Sequence, residues 1–345
     1  METEAIVVIP GLDSKEVGFA LERVVNKIKN NLLLEEAKVK ESEIPNRLDI
    51  EAKIKKNDLK KIYEIYEIFW GDIISENYNA DMPTYKKFIF GLELITFWFI
   101  SPIWREALKN KFLFIGVCFS GILLTLWYLS ILFLIFSSQA TAELIEPLLS
   151  FLNYDHKTTV DSHWILHSSL WAGVAVVLSI LPTAIILKMS GFTMKYLKSN
   201  MVRTKVRNRI SNQINTLKER NDLDRITLFA HSLGALPTSD YLADLENNSG
   251  IKIRCVTIGA PVSFLAQKSS FLQERLKKCQ ENESIHEWLD FFSKEDYLCS
   301  YVKIDSSNSN FKSYELDMDS SWLSRLGTDI HLQYFKDSRV IDRLL

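Results

Sequence analysis

The sequence predicts an α/β fold that is interrupted by a two-helix transmembrane insertion. A short apolar run, 226–229, leads into a serine between small residues and then into a helical stretch. Two other runs, 112–136 and 164–187, lack Asp, Glu, Lys and Arg and exceed the ~20 apolar residues that cross a bilayer. Without the insertion, roughly 240 residues remain, which is enough for one α/β domain with a sizeable core.

The segment around Ser232 is predicted to be a strand–turn–helix unit. Ala230 and Gly234 flank the serine at two residues' distance, and the helix is expected to begin at Ala235. Small neighbours allow the sharp turn that exposes a serine hydroxyl at the carboxyl end of a strand. The start of the following helix points backbone N–H groups at whatever the serine attacks. Ser232 is therefore the candidate nucleophile.

Two downstream strands and the order of residues along the chain indicate the partners of Ser232. Where a serine sits on such a turn, an acid and then a histidine follow it in sequence. The polar turn after the second of these strands offers Asp296 as the preferred acid, and Asp290 is the alternative. Of the two histidines beyond the serine, His286 precedes the acid, which leaves His331 as the candidate base. The two strands are predicted at 254–259 and 286–292.

These residues give the chain a resemblance to the α/β-hydrolase superfamily, in its lipase and esterase branch. The resemblance rests on the serine turn, on the strand ending Ile258–Pro261, on Asp296 and on His331. It implies a mostly parallel sheet flanked by helices and a catalytic triad of Ser232, Asp296 and His331. One departure is Ala230, where many members have glycine, although alanine still fits the turn.

The resemblance also assigns a role to the N-terminal segment. Residues 5–12 are similar to the strand and turn that supply the second oxyanion donor, here the N–H of Leu12 after Gly11. The first donor would be the N–H of Leu233. Pro10 stands where many members have histidine, which is compatible because the donor is a backbone group. The predicted domains are 1–80 and 189–345 for the two parts of the hydrolase and 81–188 for the membrane insertion.

Charge around the two long apolar runs predicts their orientation. Lys and Arg are abundant before the first run and after the second, whereas the intervening loop, 137–163, has one Lys and no Arg. The positive-inside rule then places both outer ends and the catalytic domain in the cytoplasm. The acidic N-terminus is unlike a cleavable signal. We expect an integral membrane protein with two spans.

A third apolar stretch, 88–104, is rich in aromatic residues but is shorter and contains Glu93. If it also crossed the membrane, the two parts of the hydrolase domain would lie on opposite sides. It is therefore interpreted as an interfacial or re-entrant helix. A lid helix packed against the hydrolase domain is the alternative, and either would border the entrance to the site.

Three further segments complete the description of the chain. Residues 35–61 are dense in charge and are predicted to be a surface connection, whereas 62–70 is predicted to be a strand. Residues 195–220 are basic, with apolar residues at helical spacing, and are predicted to form a long helix with one face on the sheet. Its basic residues fit either attraction to anionic headgroups or a solvated face beside the membrane.

The expected function is cleavage of a carboxylic ester by a serine hydrolase that needs neither metal nor organic cofactor. A tethered site favours membrane lipids as partners and a lipid ester as substrate, so a lipase or phospholipase is the first interpretation. A deacylase or thioesterase of lipidated proteins, and a non-enzymatic membrane effector, are the alternatives. The net charge of −2 gives no support for nucleic-acid binding, and the oligomeric state is left open.

Overall fold

An eight-stranded, mostly parallel sheet with helices forms the first of two compact units. The computed structural model describes residues 2–12, 16–31, 34–42, 46–54, 60–73, 84–100, 103–137, 174, 183–246, 250–302, 310–318 and 330–345. The strands are β1 Glu2–Ile9, β2 Leu34–Glu41, β3 Arg47–Ile54, β4 Lys60–Glu67, β5 Arg225–His231, β6 Lys252–Ile258, β7 Ile285–Phe292 and β8 Phe311–Glu315. Their order in the sheet is β2-β3-β4-β1-β5-β6-β7-β8, and neighbours are parallel except on both sides of β3.

Ten helices are described along with these strands. They are α1 Phe19–Lys29, α2 Thr84–Phe99, α3 Ile103–Ala107, α4 Lys111–Ser137, α5 Thr183–Lys198, α6 Asn200–Lys218, α7 Ala235–Ala243, α8 Val262–Ala266, α9 Ser270–Glu281 and α10 Ser338–Leu344. Two 3₁₀ turns, Ser232–Gly234 and Ile330–Lys336, carry predicted site residues. The prediction of a mixed α/β fold with a mostly parallel sheet is confirmed.

Strand β1 lies at the centre of the sheet because both of its faces are apolar. Its residues from Ala5 to Ile9 are all buried, and it pairs in parallel with β4 on one side and β5 on the other. After β1 the chain moves outward to β2 and returns through β3 to β4, and only then continues to β5. Ligands of open α/β sheets bind outside the carboxyl ends of strands at such a change of direction.

The predicted surface connection over 35–61 was wrong, because this region forms the antiparallel strands β2 and β3. Alternation is present in β3, where Ile50 and Ala52 are buried and pack with α1 in the main core. The outward positions are occupied by charges that pair across the two strands, such as Lys53 Nζ with Glu35 Oε2 at 2.7 Å. Because the density of charge in this region was interpreted as a surface connection, the alternation of buried and charged residues in β3 was overlooked.

The basic segment after the second apolar run is helical, as predicted, with one interruption. Helix α6 buries Val206, Ile210 and Ile214, which are the apolar positions expected to face the sheet. The predicted single helix is broken at Ser199, whose backbone is extended and whose hydroxyl accepts a hydrogen bond from the N–H of Val202. A serine in this role starts a new helix by satisfying one of its free N–H groups.

A second compact unit comprises the described residues within 78–101 and 118–194. Within it, α2 and parts of α4 and α5 share an apolar core that includes Phe90, Leu94, Leu123 and Ile186. The remaining described residues, including 103–117, belong to the unit that contains the sheet.

Helix α4 coincides with the first predicted span, and its residues Lys111–Ser130 are long and apolar enough to cross a membrane. It is the one helix among the described residues that meets this criterion. The second predicted span, 164–187, lies outside the described residues except for Val174 and 183–187, so the two-helix insertion remains a prediction. The stretch 88–104 is split between α2 and α3.

Candidate functional site

Ser232 lies at a strained turn between β5 and α7. Its φ angle is +56°, one of two positive values among the described non-glycine residues. Such a conformation costs about 1–3 kcal/mol and persists only where the surrounding structure imposes it. The strand positions before the serine are fully buried, as Ala230 illustrates, and the serine itself is 4% exposed. The local structure is therefore the strand–turn–helix unit that the small-residue pattern predicts.

The turn that follows β1 lies directly against this serine turn. A Cβ atom placed on Gly234 would lie 2.7 Å from the carbonyl oxygen of Pro10 and closer still to that of Ile9. The indole N–H of Trp70 donates to the same Pro10 oxygen over 2.8 Å and holds the turn in place. Gly234 is thus required by a close approach of two backbones. This approach brings the segments of Leu12 and Leu233, the predicted oxyanion donors, together.

The substitution Gly234→Ala is expected to destabilise the protein by about 1–3 kcal/mol and to lower activity, because a methyl group there meets fixed backbone. Chemical denaturation would measure the loss of stability. The matched control is Gly250→Ala, where the added Cβ has nothing within 4 Å and only the positive φ of 74° opposes it. Equal losses at the two positions would show that contact with the β1 turn contributes nothing.

Asp296 and His331 form a buried hydrogen-bonded pair at the carboxyl edge of the sheet. His331 Nδ1 lies 2.6 Å from Asp296 Oδ2, and the two side chains are 6% and 0% exposed, in that order. The N–H of Leu298 donates to Asp296 Oδ1 over 2.9 Å. Burial alone would raise the pKa of Asp296, but the charge and hydrogen bond of His331, with the other donors, hold it below the ordinary value. The carboxyl group therefore stays ionised beside the imidazole.

Asp290, the alternative acid, has other partners. It is fully buried within β7 and accepts hydrogen bonds from Thr257 Oγ1 at 2.7 Å, from the N–H of Val302 at 2.8 Å and from Ser313 Oγ at 3.2 Å. Burial raises its pKa to about 6, although these donors act in the opposite direction. Of the two candidate acids, Asp296 is the one that contacts His331. Asp290 instead joins β6, β7 and β8, the last three strands of the sheet.

His231, which sequence reasoning left without a role, links the serine to the predicted base. Its Nε2 lies 3.1 Å from the backbone oxygen of His331, and the two imidazole rings are 4.9 Å apart. Because a carbonyl oxygen only accepts, this bond requires the proton of His231 to be on Nε2. The residue before the serine thus holds the backbone of His331 beside the serine turn.

Two other residues shape the site in ways that residue order alone did not reveal. The hydroxyl of Tyr334 donates to Asp296 Oδ2 over 3.1 Å and accepts from the N–H of Ser293 at 3.0 Å. Gly259, at the end of β6, has a φ of +58°, and a Cβ there would lie 3.0 Å from His331 Cε1. Gly259 lies in the strand end Ile258–Pro261 on which the resemblance rests, and Tyr334, three residues after His331, belongs to the same resemblance. Sequence reasoning assigned neither residue a role of its own.

Replacing Tyr334 with Phe is expected to move the acidic limb of the pH–activity profile to higher pH. Burial raises the pKa of the Tyr334 hydroxyl well above its ordinary value, so this group remains a donor to Asp296. Without that donor, the Asp296 carboxylate interacts more strongly with protonated His331 and raises the pKa of the imidazole. The pH dependence of kcat/KM for a soluble ester would show the shift.

Tyr63→Phe is the control for this prediction, because the Tyr63 hydroxyl donates to the backbone oxygen of Leu345 at 3.2 Å and makes no contact with the predicted triad. An unchanged profile in Tyr334→Phe, or an equal shift in Tyr63→Phe, would contradict the role given to Tyr334.

The site as a whole combines a serine on a strained turn with an ionised Asp296 carboxylate that is hydrogen-bonded to the imidazole of His331. This combination is suited to nucleophilic acyl transfer. Among the described residues, no group of three or more His, Cys, Asp or Glu side chains could hold a metal ion. A cavity of about 480 Å³ lies by the carboxyl end of β4, where its wall includes Glu67, Asp72 and Arg209. None of the predicted catalytic residues lines this cavity.

Comparison with known proteins found no matching family model, no matching curated protein and no matching solved structure.

Proposed function

We propose that this protein is a membrane-anchored serine hydrolase of the α/β-hydrolase type that cleaves carboxylic esters. The observation that carries the proposal is the arrangement of Ser232 relative to the pair Asp296–His331. The serine has a φ of +56° at the carboxyl end of a central strand, and its neighbour His231 contacts the backbone of His331, 3.1 Å away. The Asp296–His331 hydrogen bond of 2.6 Å supplies an oriented base.

In the proposed reaction, His331 takes the proton of Ser232 as the serine oxygen attacks the ester carbonyl. Asp296 keeps the imidazole in the tautomer that has its proton on Nδ1 and stabilises the imidazolium that forms. The backbone N–H groups of Leu12 and Leu233 stabilise the oxyanion, and losing one such donor typically costs ~3–4 kcal/mol of barrier. His331 then gives the proton to the departing alcohol.

Water completes the cycle. His331 removes a proton from the water that attacks the acyl-enzyme, the serine leaves with that proton, and the carboxylic acid departs. No step requires a group other than the substrate, water and these residues.

The proposed substrate is an ester of a membrane glycerolipid, such as a phospholipid, in the cytoplasmic leaflet. Helix α4 supports this choice, because its apolar sequence has the length of a membrane span. A site tethered at the bilayer meets lipid at high effective concentration. The aromatic segment 88–104 supports it further, since a segment of this composition can lie at the membrane interface.

The proposed topology has two spans, with the catalytic domain in the cytoplasm. A cysteine introduced in the loop 137–163 is then expected to react with an impermeant maleimide on intact cells. Cysteines placed near residues 40 and 310 should react only after permeabilisation. Of the four native cysteines, three are buried, which limits background labelling. Labelling of the 40 and 310 sites on opposite sides of the membrane would refute a single cytoplasmic hydrolase domain.

The substrate class can be tested with the full-length protein in vesicles. Three substrates are compared: a diacyl phospholipid in the bilayer, a peptide with an S-acylated cysteine, and a short water-soluble ester. The proposal predicts release of fatty acid from the phospholipid by the wild type and none by Ser232→Ala. Preferential cleavage of the thioester would favour the deacylase, and no cleavage of any substrate would favour the membrane effector.

A further inference from the structure

The first turn of helix α4 lies against the loop that carries the predicted acid. This turn and α3 belong to the same compact unit as the sheet, and Ala107 at the end of α3 is fully buried. The acid loop comprises residues 293–300, which follow β7. Its last residue, Ser300, donates its N–H to the backbone oxygen of Ala260, two residues after β6, over 3.1 Å. Two contacts connect the helix to this loop.

The first contact is made by Asn110, which serves both structures at once. Its Oδ1 accepts from the N–H of Phe112 at 2.9 Å and so caps the start of α4. Its Nδ2 donates to the backbone oxygen of Lys294 over 3.1 Å, two residues before Asp296. One side chain thereby fixes the beginning of the apolar helix and the approach to the predicted acid.

The second contact lies on the other side of the acid. A Cβ atom on Gly116 would come within 2.6 Å of both Cβ and Cγ of Tyr297, the residue directly after Asp296. Tyr297 is 5% exposed, and burial raises the pKa of its hydroxyl to about 12. The buried ring of Tyr297 therefore packs directly against the backbone of α4.

We propose that Asn110 and Gly116 are positioning residues for Asp296, so that the rate of hydrolysis depends on how the first turns of α4 pack against the acid loop. This inference rests on the proposed function and adds a form of regulation to it. Asn110 directly precedes, and Gly116 lies near the start of, the apolar sequence of α4 that is proposed to cross the bilayer. A change in the position of that helix is transmitted to the acid, and the bilayer thereby acts on the alignment of Asp296 with His331.

The test uses substitutions that separate the two tasks of Asn110. Asn110→Asp keeps an oxygen that can cap α4 but has no donor for the Lys294 oxygen. Asn110→Ser also keeps a capping oxygen, on a shorter side chain that lacks the amide group that reaches Lys294. Gly116→Ala places a methyl group against Tyr297. Gly121→Ala is the matched control in the same helix, because its nearest neighbour is the far end of the Phe99 ring at 3.1 Å.

We expect the three test variants to lower kcat for a short soluble ester about 10-fold or more and to shift the acidic limb of the profile to lower pH. The direction follows because His331 loses stabilisation of its protonated form when Asp296 is displaced, and its pKa falls. A variant that is only less stable would contain a smaller fraction of active protein, but the acidic limb of its pH–activity profile would stay where it is in the wild type. Gly116→Ala should also cost less in a Tyr297→Leu background, since the obstructing ring is then absent.

The outcomes separate this inference from the proposed function. A wild-type protein that hydrolyses the ester, with Asn110→Asp and Gly116→Ala matching it in kcat and in pH profile, overturns the positioning role alone. The same holds if Gly121→Ala has effects equal to those of Gly116→Ala. A wild-type protein with no activity toward the ester overturns the proposed function, and the positioning role with it.

Discussion

Ser232→Ala and His331→Ala are each expected to lower ester hydrolysis about 10⁴-fold or more while the protein remains folded. The serine oxygen is the proposed nucleophile, and the imidazole is the proposed carrier of its proton, so removing either stops acyl transfer. Hydrolysis of a soluble ester measures the loss, and circular dichroism with a thermal melt verifies folding.

The matched control for the histidine is His286→Ala. His286 is the other histidine beyond the serine, and it is exposed at the start of β7. This variant is expected to keep wild-type turnover. Loss of activity in His286→Ala together with retained activity in His331→Ala would show that the wrong histidine has been assigned as the base.

Asp296→Asn is expected to lower kcat by about 10⁴-fold with little change in stability. An amide in place of the carboxylate can donate to Nδ1, which favours the tautomer that has its proton on Nε2 and cannot accept the serine proton. The comparison is with Asp290→Asn, which keeps an oxygen for its buried donors. Burial raises the pKa of Asp290 to about 6, whereas the pKa of Asp296 lies below its ordinary value, so loss of the charge is expected to cost less at Asp290.

Steady-state or stopped-flow kinetics of ester hydrolysis by the two Asn variants decide whether Asp296 or Asp290 is the acid of the triad. Near wild-type turnover in Asp296→Asn, with a loss in Asp290→Asn, would overturn the assignment that the 2.6 Å contact with His331 supports.

The parts of the fold that were predictable from sequence are those with apolar strands buried on both faces. β1, β5 and β6 are rich in apolar residues and almost wholly buried, and the small residues around Ser232 indicate the turn after β5. Strands β2 and β3 were missed because one face of β3 is charged and its charges find partners on neighbouring strands. Lys53 and Glu51 pair with residues of β2, and Arg47 pairs with Glu64 of β4. Local sequence does not show such cross-strand pairing.

The candidate site was predictable only where chain order restricts the choice. Two histidines follow the serine, so His331 could be chosen by elimination, whereas Asp290 remained an alternative until its hydrogen bonds were seen. The contributions of His231 and Tyr334 depend on contacts between residues 35 or more positions apart in sequence. Long-range contacts of this kind have no local signature, and neither has the link from Asn110 to the acid loop.

The central claim is that Ser232 is an activated nucleophile, and covalent labelling of the purified full-length protein with a fluorophosphonate tests it most directly. Such reagents phosphonylate a serine only where a base accepts its proton as the fluoride leaves. We predict labelling of the wild type on the peptide that contains Ser232, identified by mass spectrometry, and no labelling of Ser232→Ala. A wild-type protein that does not react, or a Ser232→Ala variant that is labelled equally, would contradict the account.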